Sequence, residues 1–268
     1  MWPADSTPMT DLQRVFWDTT HVNFRVVDTD LLLDYVGRYL AQLPPSPAIV
    51  DAGGGWGRVA IPLATEGYNV DLVDTSEGYM AEGRGIAQEF GVADRIRWVG
   101  CDLREYQAAT PPNMMLYCES MEYAPTLAEK TALTQRLYRQ LAPGGLMIIT
   151  AVDRLAMANF MIRRLLFWEE IPGMIERGEF IDLKGYLFYP PTASEFDQII
   201  GSLEGEVLDR RTYLHTDSLL LMLGGVVQSS YHSHPDLARR FFEVNRKLMD
   251  DPQNSQRGFF HVACVRRP

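Results

Sequence analysis

The feature that most constrains this chain is Asp51-Ala-Gly53-Gly-Gly55-Trp-Gly57, set directly after the apolar run Ala48–Ala52 and directly before a segment with helical spacing. Glycines at such a junction let the backbone turn tightly and approach a ligand, while the helix start behind them offers free N–H groups. A strand–glycine loop–helix unit of this kind commits the chain to a parallel α/β arrangement. The surrounding periodicity agrees. Strand signals at 48–52, 68–74, 95–100, 113–118 and 145–152 alternate with helical patterns at 56–66, 77–90 and 126–141. That rhythm is the signature of a parallel sheet covered by helices on both faces.

Beyond Asp153 the rhythm changes. Residues 153–190 are rich in aromatics and methionine, a helix at 192–203 and a strand at 206–214 resume the pattern, and a helical excursion covers 216–250. The ending at 258–267 reads as an antiparallel strand closing the sheet at its edge. At the other end, residues 10–43 look helical with a break near 19–23, and Asp28 or Thr29 is placed to cap the later helix. The expectation is an α/β fold with one doubly wound, seven-stranded sheet, mostly parallel with an antiparallel last strand. It divides into an N-terminal helical lid (1–46), a cofactor-binding core (47–152), and a region of helical cap insertions and last strands (153–268).

The glycines alone leave the ligand open, because Gly55-x-Gly57-x-x-Ala60 also satisfies a dinucleotide fingerprint. The surroundings narrow it. Asp51 stands two positions before Gly53, where it can answer an ammonium group and would repel a pyrophosphate. Asp74, followed by Thr75, closes the second strand and can accept hydrogen bonds from both ribose hydroxyls, a role shared with dinucleotide folds. Asp102-Leu103 follows the third strand, offering a carboxylate for an exocyclic amine and an apolar neighbour for a ring. Leu141-Ala-Pro-Gly-Gly145 introduces the fifth strand.

Together these residues resemble the Rossmann-like class I S-adenosylmethionine-dependent methyltransferases across the whole nucleotide-binding core. DAGGGWG, the segment from Thr19 and Thr20 to Phe24-Arg25, the pair Glu122-Tyr123 and the ending FFHVACVRRP are further similar to bacterial enzymes that methylate the carboxyl group of a carboxymethoxyuridine at the tRNA wobble position, and to their small-molecule relatives. The resemblance implies that Arg25 grips the cofactor's carboxylate. It also implies a cofactor set of Arg25, Asp51, Gly53, Gly55, Gly57, Asp74, Thr75, Asp102, Leu103, Cys118 and Tyr123. S-adenosylmethionine would be the donor and S-adenosylhomocysteine the product.

The resemblance thins where the acceptor should be recognised. The tRNA enzymes carry a lysine-rich run in the cap; here residues 171–185 set Glu176, Glu179 and Asp182 against Arg177 and Lys184. With acids outnumbering bases 35 to 25, the net charge of -10 also opposes the attraction that drives nucleic-acid binding. A small-molecule acceptor is therefore expected: a carboxylate, an amine or a hydroxyl. The alternatives are the tRNA reaction and an intramolecular reaction of S-adenosylmethionine itself, such as cyclisation. Alignment can supply much of the acceleration of an in-line displacement, and only an amine or hydroxyl acceptor needs a general base. Candidate bases are Glu119, Glu122, Tyr117 and His215. Trp17, Trp168 and Tyr186 are placed to cover the substrate, and the resemblance to the tRNA enzymes implies that Arg210 or Arg211 anchors an acidic one.

No metal is expected. His232-Ser-His234 precedes Pro235, which suits a helix start better than a ligand pair. The three cysteines, Cys101, Cys118 and Cys264, are widely spaced, which suits a reducing cytoplasm. The start shows no basic segment followed by an apolar run, and no apolar stretch approaches a membrane span, so a soluble, cytoplasmic monomer or homodimer is expected, without membrane partners.

Overall fold

The computed structural model describes residues 24–164, 171–181, 187–213, 235–254 and 258–268, with the side chains at 24–27, 160–164, 171, 177, 180, 181, 235–238 and 241 left aside. Seven strands form one sheet. In chain order they are β1 (Ile49–Ala52), β2 (Val70–Asp74), β3 (Ile96–Gly100), β4 (Met114–Cys118), β5 (Leu146–Val152), and, after a two-stranded hairpin of β6 (Phe180–Ile181) and β7 (Leu187–Phe188), β8 (Glu206–Tyr213) and β9 (Phe260–Arg266). Across the sheet the order is β3-β2-β1-β4-β5-β9-β8. β1 to β5 are mutually parallel, and β9 runs antiparallel to both β5 and β8.

Every residue of β1, β4 and β5 is buried, as continuous apolar runs in a sheet covered on both faces require. The helices supply that cover. On one face lie α1 (Phe24–Leu40), α2 (Ala60–Thr65) and α3 (Glu77–Glu89), packing Leu31, Tyr35, Ile61 and Met80 against Ile49, Leu72 and Leu116. On the other, α4 (Leu127–Tyr138) and α7 (Ala193–Gly201) pack Leu137, Phe196 and Ile199 against Val50, Met115 and Ile149. Thr126 and Thr192 start these two helices with full capping boxes, closed by Glu129 and Glu195. The remaining helices are α5 (Arg154–Arg164), α6 (Ile171–Arg177) and α8 (Pro235–Asp250). Pro235 opens α8, where its missing N–H costs no hydrogen bond.

Three expectations need correction. The last strand does not lie at the edge: β9 inserts between β5 and β8. The reason is compositional, since Phe-His-Val-Ala-Cys-Val is buried on both faces, whereas β8 carries Asp209, Arg210 and Arg211 and tolerates an open side. Asp28 and Thr29 do not cap a helix; they lie inside α1, and Asp28 is buried there by an ionic partner described below. The β6–β7 hairpin falls in the stretch read from sequence only as aromatic-rich. Among the described residues, no helix is long and apolar enough to cross a membrane.

Candidate functional site

The carboxyl ends of β1, β2, β3 and β4 lie side by side, and the candidate residues gather there. After β1 the chain turns through Gly53, Gly55 and Gly57, all with positive φ (76°, 56° and 93°). The loop is tied to β2 by the Gly53 amide, which donates to the Val73 carbonyl at 2.7 Å. The Gly55 amide donates to Asp74 Oδ2 at 2.9 Å, and Asp74 Oδ1 accepts from the Ser76 amide at 2.8 Å. A side chain at Gly53 would fall 2.1 Å from Ser120 Oγ, and Leu103 closes in behind at 3.6 Å. Over Gly55 the space is open, with nothing within 4 Å of where a Cβ would stand. Bare backbone under open space is what a bound ligand needs in order to lie against the loop.

Asp51 sits beneath this loop, 2% exposed, and its Oδ2 is buried without a hydrogen-bond partner. Burial pushes its carboxyl up to about 7, opposed by the Arg58 charge and a bond from the Ala60 amide. A buried acceptor lacking a donor fits a cationic ligand such as an ammonium or sulfonium. At the end of β3, Asp102 accepts from the Arg104 amide at 2.8 Å and from its guanidinium, which holds this carboxyl below the usual range. Thr75 is exposed at the end of β2. Cys118 is buried at the end of β4, where burial raises its thiol and the Asp51 charge adds to the effect.

The segment after β4 carries the candidate bases. Glu119 has a positive φ of 54°, rare for a side-chain-bearing residue, and its amide donates to the Thr150 carbonyl at 3.1 Å. Its carboxylate accepts from Arg58 Nη2 at 2.5 Å. Glu122 is fully buried: Oε1 accepts from the Val152 amide at 2.7 Å, and Oε2 has no hydrogen-bond partner. Burial pushes its carboxyl up to about 7. Nearby, Lys130 is buried and donates to the Ala124 carbonyl at 2.5 Å; its ammonium lies 5.4 Å from the Tyr189 ring. Burial lowers it to about 8, opposed by Glu122 and Glu195. Tyr123 packs edge-on to Phe188 of β7 at 5.4 Å.

Tyr117 lies behind this group, its buried hydroxyl raised by desolvation and by the Glu122 carboxyl. It points into the opposite face of the sheet, fully buried among Val50, Ala52 and Met115. Arg211 stands apart, paired with Asp209 at 2.6 Å and with Asp250. Trp17, Trp168, Tyr186, His215 and the His232/His234 pair lie outside the described residues, as does the Arg25 side chain.

Beside β5 and β9, on this same edge of the sheet, an open groove is lined by Asp153, Leu155, Asn159, Thr192, Ser194 and Asp197. Asp153 is fixed there by accepting from the Ala156 amide at 2.8 Å and by His261 Nε2 at 2.9 Å.

Two site residues escaped the sequence reading. Ser120, whose hydroxyl donates to the Gly53 carbonyl at 3.1 Å, follows β4 without any distinguishing pattern. Arg58 had a signal: a cation just ahead of α2 opposes the helix dipole, so carboxylate partners are needed. They are Asp28 at 3.2 Å and Glu119, with Thr29 Oγ1 accepting at 3.1 Å.

Residues 49–145 match the family model described as a methyltransferase domain. The tRNA 5-carboxymethoxyuridine methyltransferase of Escherichia coli strain K12 is 29% identical over 120 residues, 44% of this chain and 45% of the relative. The ubiquinone biosynthesis O-methyltransferase of Rickettsia canadensis is 26% identical over 42% of this chain and 46% of the relative. The chain thus spans less than half the length of each of these curated relatives. In fold, the magnesium protoporphyrin IX methyltransferase of Synechocystis PCC 6803, crystallised with SAH, superposes with a TM-score of 0.56 at 15% identity, covering 98% of this chain and 90% of the other. Residues 49–145 therefore resemble the methyltransferase domain family, and the seven-stranded sheet that carries them has the Rossmann-like fold seen in S-adenosylmethionine-dependent methyltransferases.

Proposed function

We propose that this chain transfers a methyl group from S-adenosylmethionine to a small-molecule acceptor by in-line displacement. The observation that carries the reading is the alignment of Asp51, Asp74 and Asp102 at the carboxyl ends of three adjacent parallel strands around a bare glycine loop. When bound, the cofactor supplies an electrophilic methyl on a sulfonium. The chain's own residues do the rest. Gly53, Gly55 and Gly57 admit it against backbone, and Asp51 meets its positive charge. Asp74 keeps acceptor capacity for ribose hydroxyls, since each carboxylate oxygen can take a second donor. Asp102 and Leu103 face the adenine, Arg25 takes the carboxylate, and Thr75, Cys118 and Tyr123 complete the lining.

Glu119, paired with Arg58, and Glu122, whose carboxyl burial raises to about 7, are the proton acceptors for an amine or hydroxyl; a carboxylate acceptor needs neither. Arg211 is held by two aspartates and Arg210 by Asp197, so either anchors an acidic acceptor only by giving up an ion pair. The similarity to the tRNA enzyme sustains a second reading, methylation of a wobble-uridine carboxyl group, which the net charge of -10 opposes.

The test is calorimetry with S-adenosylhomocysteine, followed by transfer of a labelled methyl group to separate pools of small acids, amines and phenols, and to tRNA bearing carboxymethoxyuridine. Binding with label in a small-molecule pool supports the proposal. Label in tRNA alone transfers the assignment to the second reading. A chain that ignores S-adenosylhomocysteine while binding a nicotinamide nucleotide refutes both.

A further inference from the structure

Arg58 follows the last glycine of the loop, yet its guanidinium turns away from the open space over Gly55 and into the protein, where it is 11% exposed. One nitrogen, Nη1, reaches Asp28 Oδ2 at 3.2 Å and Thr29 Oγ1 at 3.1 Å, both on α1; the other, Nη2, reaches Glu119 Oε1 at 2.5 Å, beyond β4. Asp28 is completely buried and Glu119 is 7% exposed. Tyr213, which ends β8, is buried with its hydroxyl facing the same charges. Three segments distant in sequence therefore converge on one cation: the start of α1, the glycine loop and the residue after β4.

The position matters as much as the bond. The carboxylates assigned to the adenosine half, Asp74 and Asp102, stand on β2 and β3, to one side of the loop. Arg58 and Glu119 stand on the other side, toward β4. A ligand with its nucleoside over β2 and β3 must lay its remaining arm over β1 and β4, next to the first turns of α1. In α1, Arg25 precedes Asp28 by three residues, about one turn of helix.

We propose that Arg58 is a positioning residue for the amino-acid arm of the cofactor, its bridge between Asp28 and Glu119 setting the first turns of α1 against the glycine loop. The proposal rests on the S-adenosylmethionine reading above. Arg58 touches no cofactor atom in this scheme; it acts through α1 and so through Arg25. Glu119 is held by the same bridge in its left-handed backbone conformation, which costs about 1–3 kcal/mol when a residue has a side chain.

The experiment compares calorimetric affinities for S-adenosylhomocysteine and adenosine in the full chain, using Arg58→Gln, Arg25→Ala and the double variant. Arg58→Gln is expected to weaken S-adenosylhomocysteine about tenfold or more while changing adenosine by less than about twofold. Because both residues act on one contact, Arg58→Gln should add little in the Arg25→Ala background. Should Arg58→Gln fail to fold, Asp28→Asn, which weakens the tie to α1 while leaving Thr29 and Glu119 on the guanidinium, carries an expectation of the same direction. Equal losses for the two ligands, or full additivity of the two substitutions, overturn the positioning role. Wild-type protein that binds adenosine but not S-adenosylhomocysteine overturns the cofactor reading and this role together, whereas wild-type binding retained unchanged by Arg58→Gln and Asp28→Asn removes this role alone.

Discussion

The two sides of the sheet treat charge in opposite ways. Around the glycine loop Asp28, Asp51, Arg58, Glu119 and Glu122 are taken almost wholly out of water, held by backbone amides or by a single guanidinium. On the β8 side, Arg38, Arg210 and Arg211 meet Asp250, Asp197 and Asp209 in partly solvated pairs. Solvated pairs of that kind contribute at most about 1 kcal/mol each and tie α1 and α8 to the edge strand. Buried charges cost stability unless each is compensated, so their concentration at one strand edge makes this the candidate functional site.

The sharpest way to break this contrast is pH. Glu122 is raised from 4.5 to about 7 in the folded chain, so between those values the folded state holds a proton that the unfolded chain has released. Stability must therefore fall as pH rises through that window. Glu122→Gln removes the ionisable group and should flatten the fall by on the order of 3 kcal/mol. Urea midpoints measured from pH 4.5 to 8 test it, and an unchanged slope denies that burial raises the Glu122 carboxyl.

Next in size is the packing of α3 onto the loop. A Cβ at Gly83 would meet the Trp56 carbonyl oxygen at 2.2 Å and the Trp98 ring at 2.5 Å. Gly83→Ala should cost about 2–3 kcal/mol by overpacking and displace the loop, lowering affinity for S-adenosylhomocysteine as well. Near-wild-type unfolding and binding would mean that the loop yields freely.

Asp74→Ala should cost about 2 kcal/mol of S-adenosylhomocysteine affinity with little change in thermal midpoint, because the carboxylate lines the site and its backbone donors can turn to water. Unchanged affinity in calorimetry dismisses the ribose assignment. The smallest effect belongs to the far side: Arg211→Ala should shift stability by less than about 1 kcal/mol and leave methyl transfer intact. A selective rise in KM for an acidic acceptor would restore Arg211 as a substrate anchor and undo the contrast between the two sides.

Much of this was readable beforehand, for a local reason. Glycines that need positive φ, a carboxylate at or near the end of each of three strands, and apolar runs long enough to be covered on both faces are properties of short segments, and they mark β1 to β5 and the loop wherever the rest of the chain goes. The inner position of β9 was legible too, had its unbroken apolar run been weighed against the charged β8. Glu119 and Glu122 were visible as acids after β4, but nothing in that segment separates an acid fixed by a distant guanidinium from one whose carboxyl is raised by burial.

By itself, then, the sequence determined the α/β class, the strand–loop–helix unit and the three aspartates, because each depends on backbone conformation and hydrophobic period over a few residues. Tertiary structure decided which charges share a partner. Asp28 and Glu119 stand 91 positions apart in the numbering and meet only because α1 and the end of β4 both pack around Arg58. It likewise buried Tyr117 on the opposite face and matched Arg211 to Asp209 and Asp250. Long-range pairing of this kind follows from the order of strands across the sheet, a property of the assembled fold that no local pattern encodes.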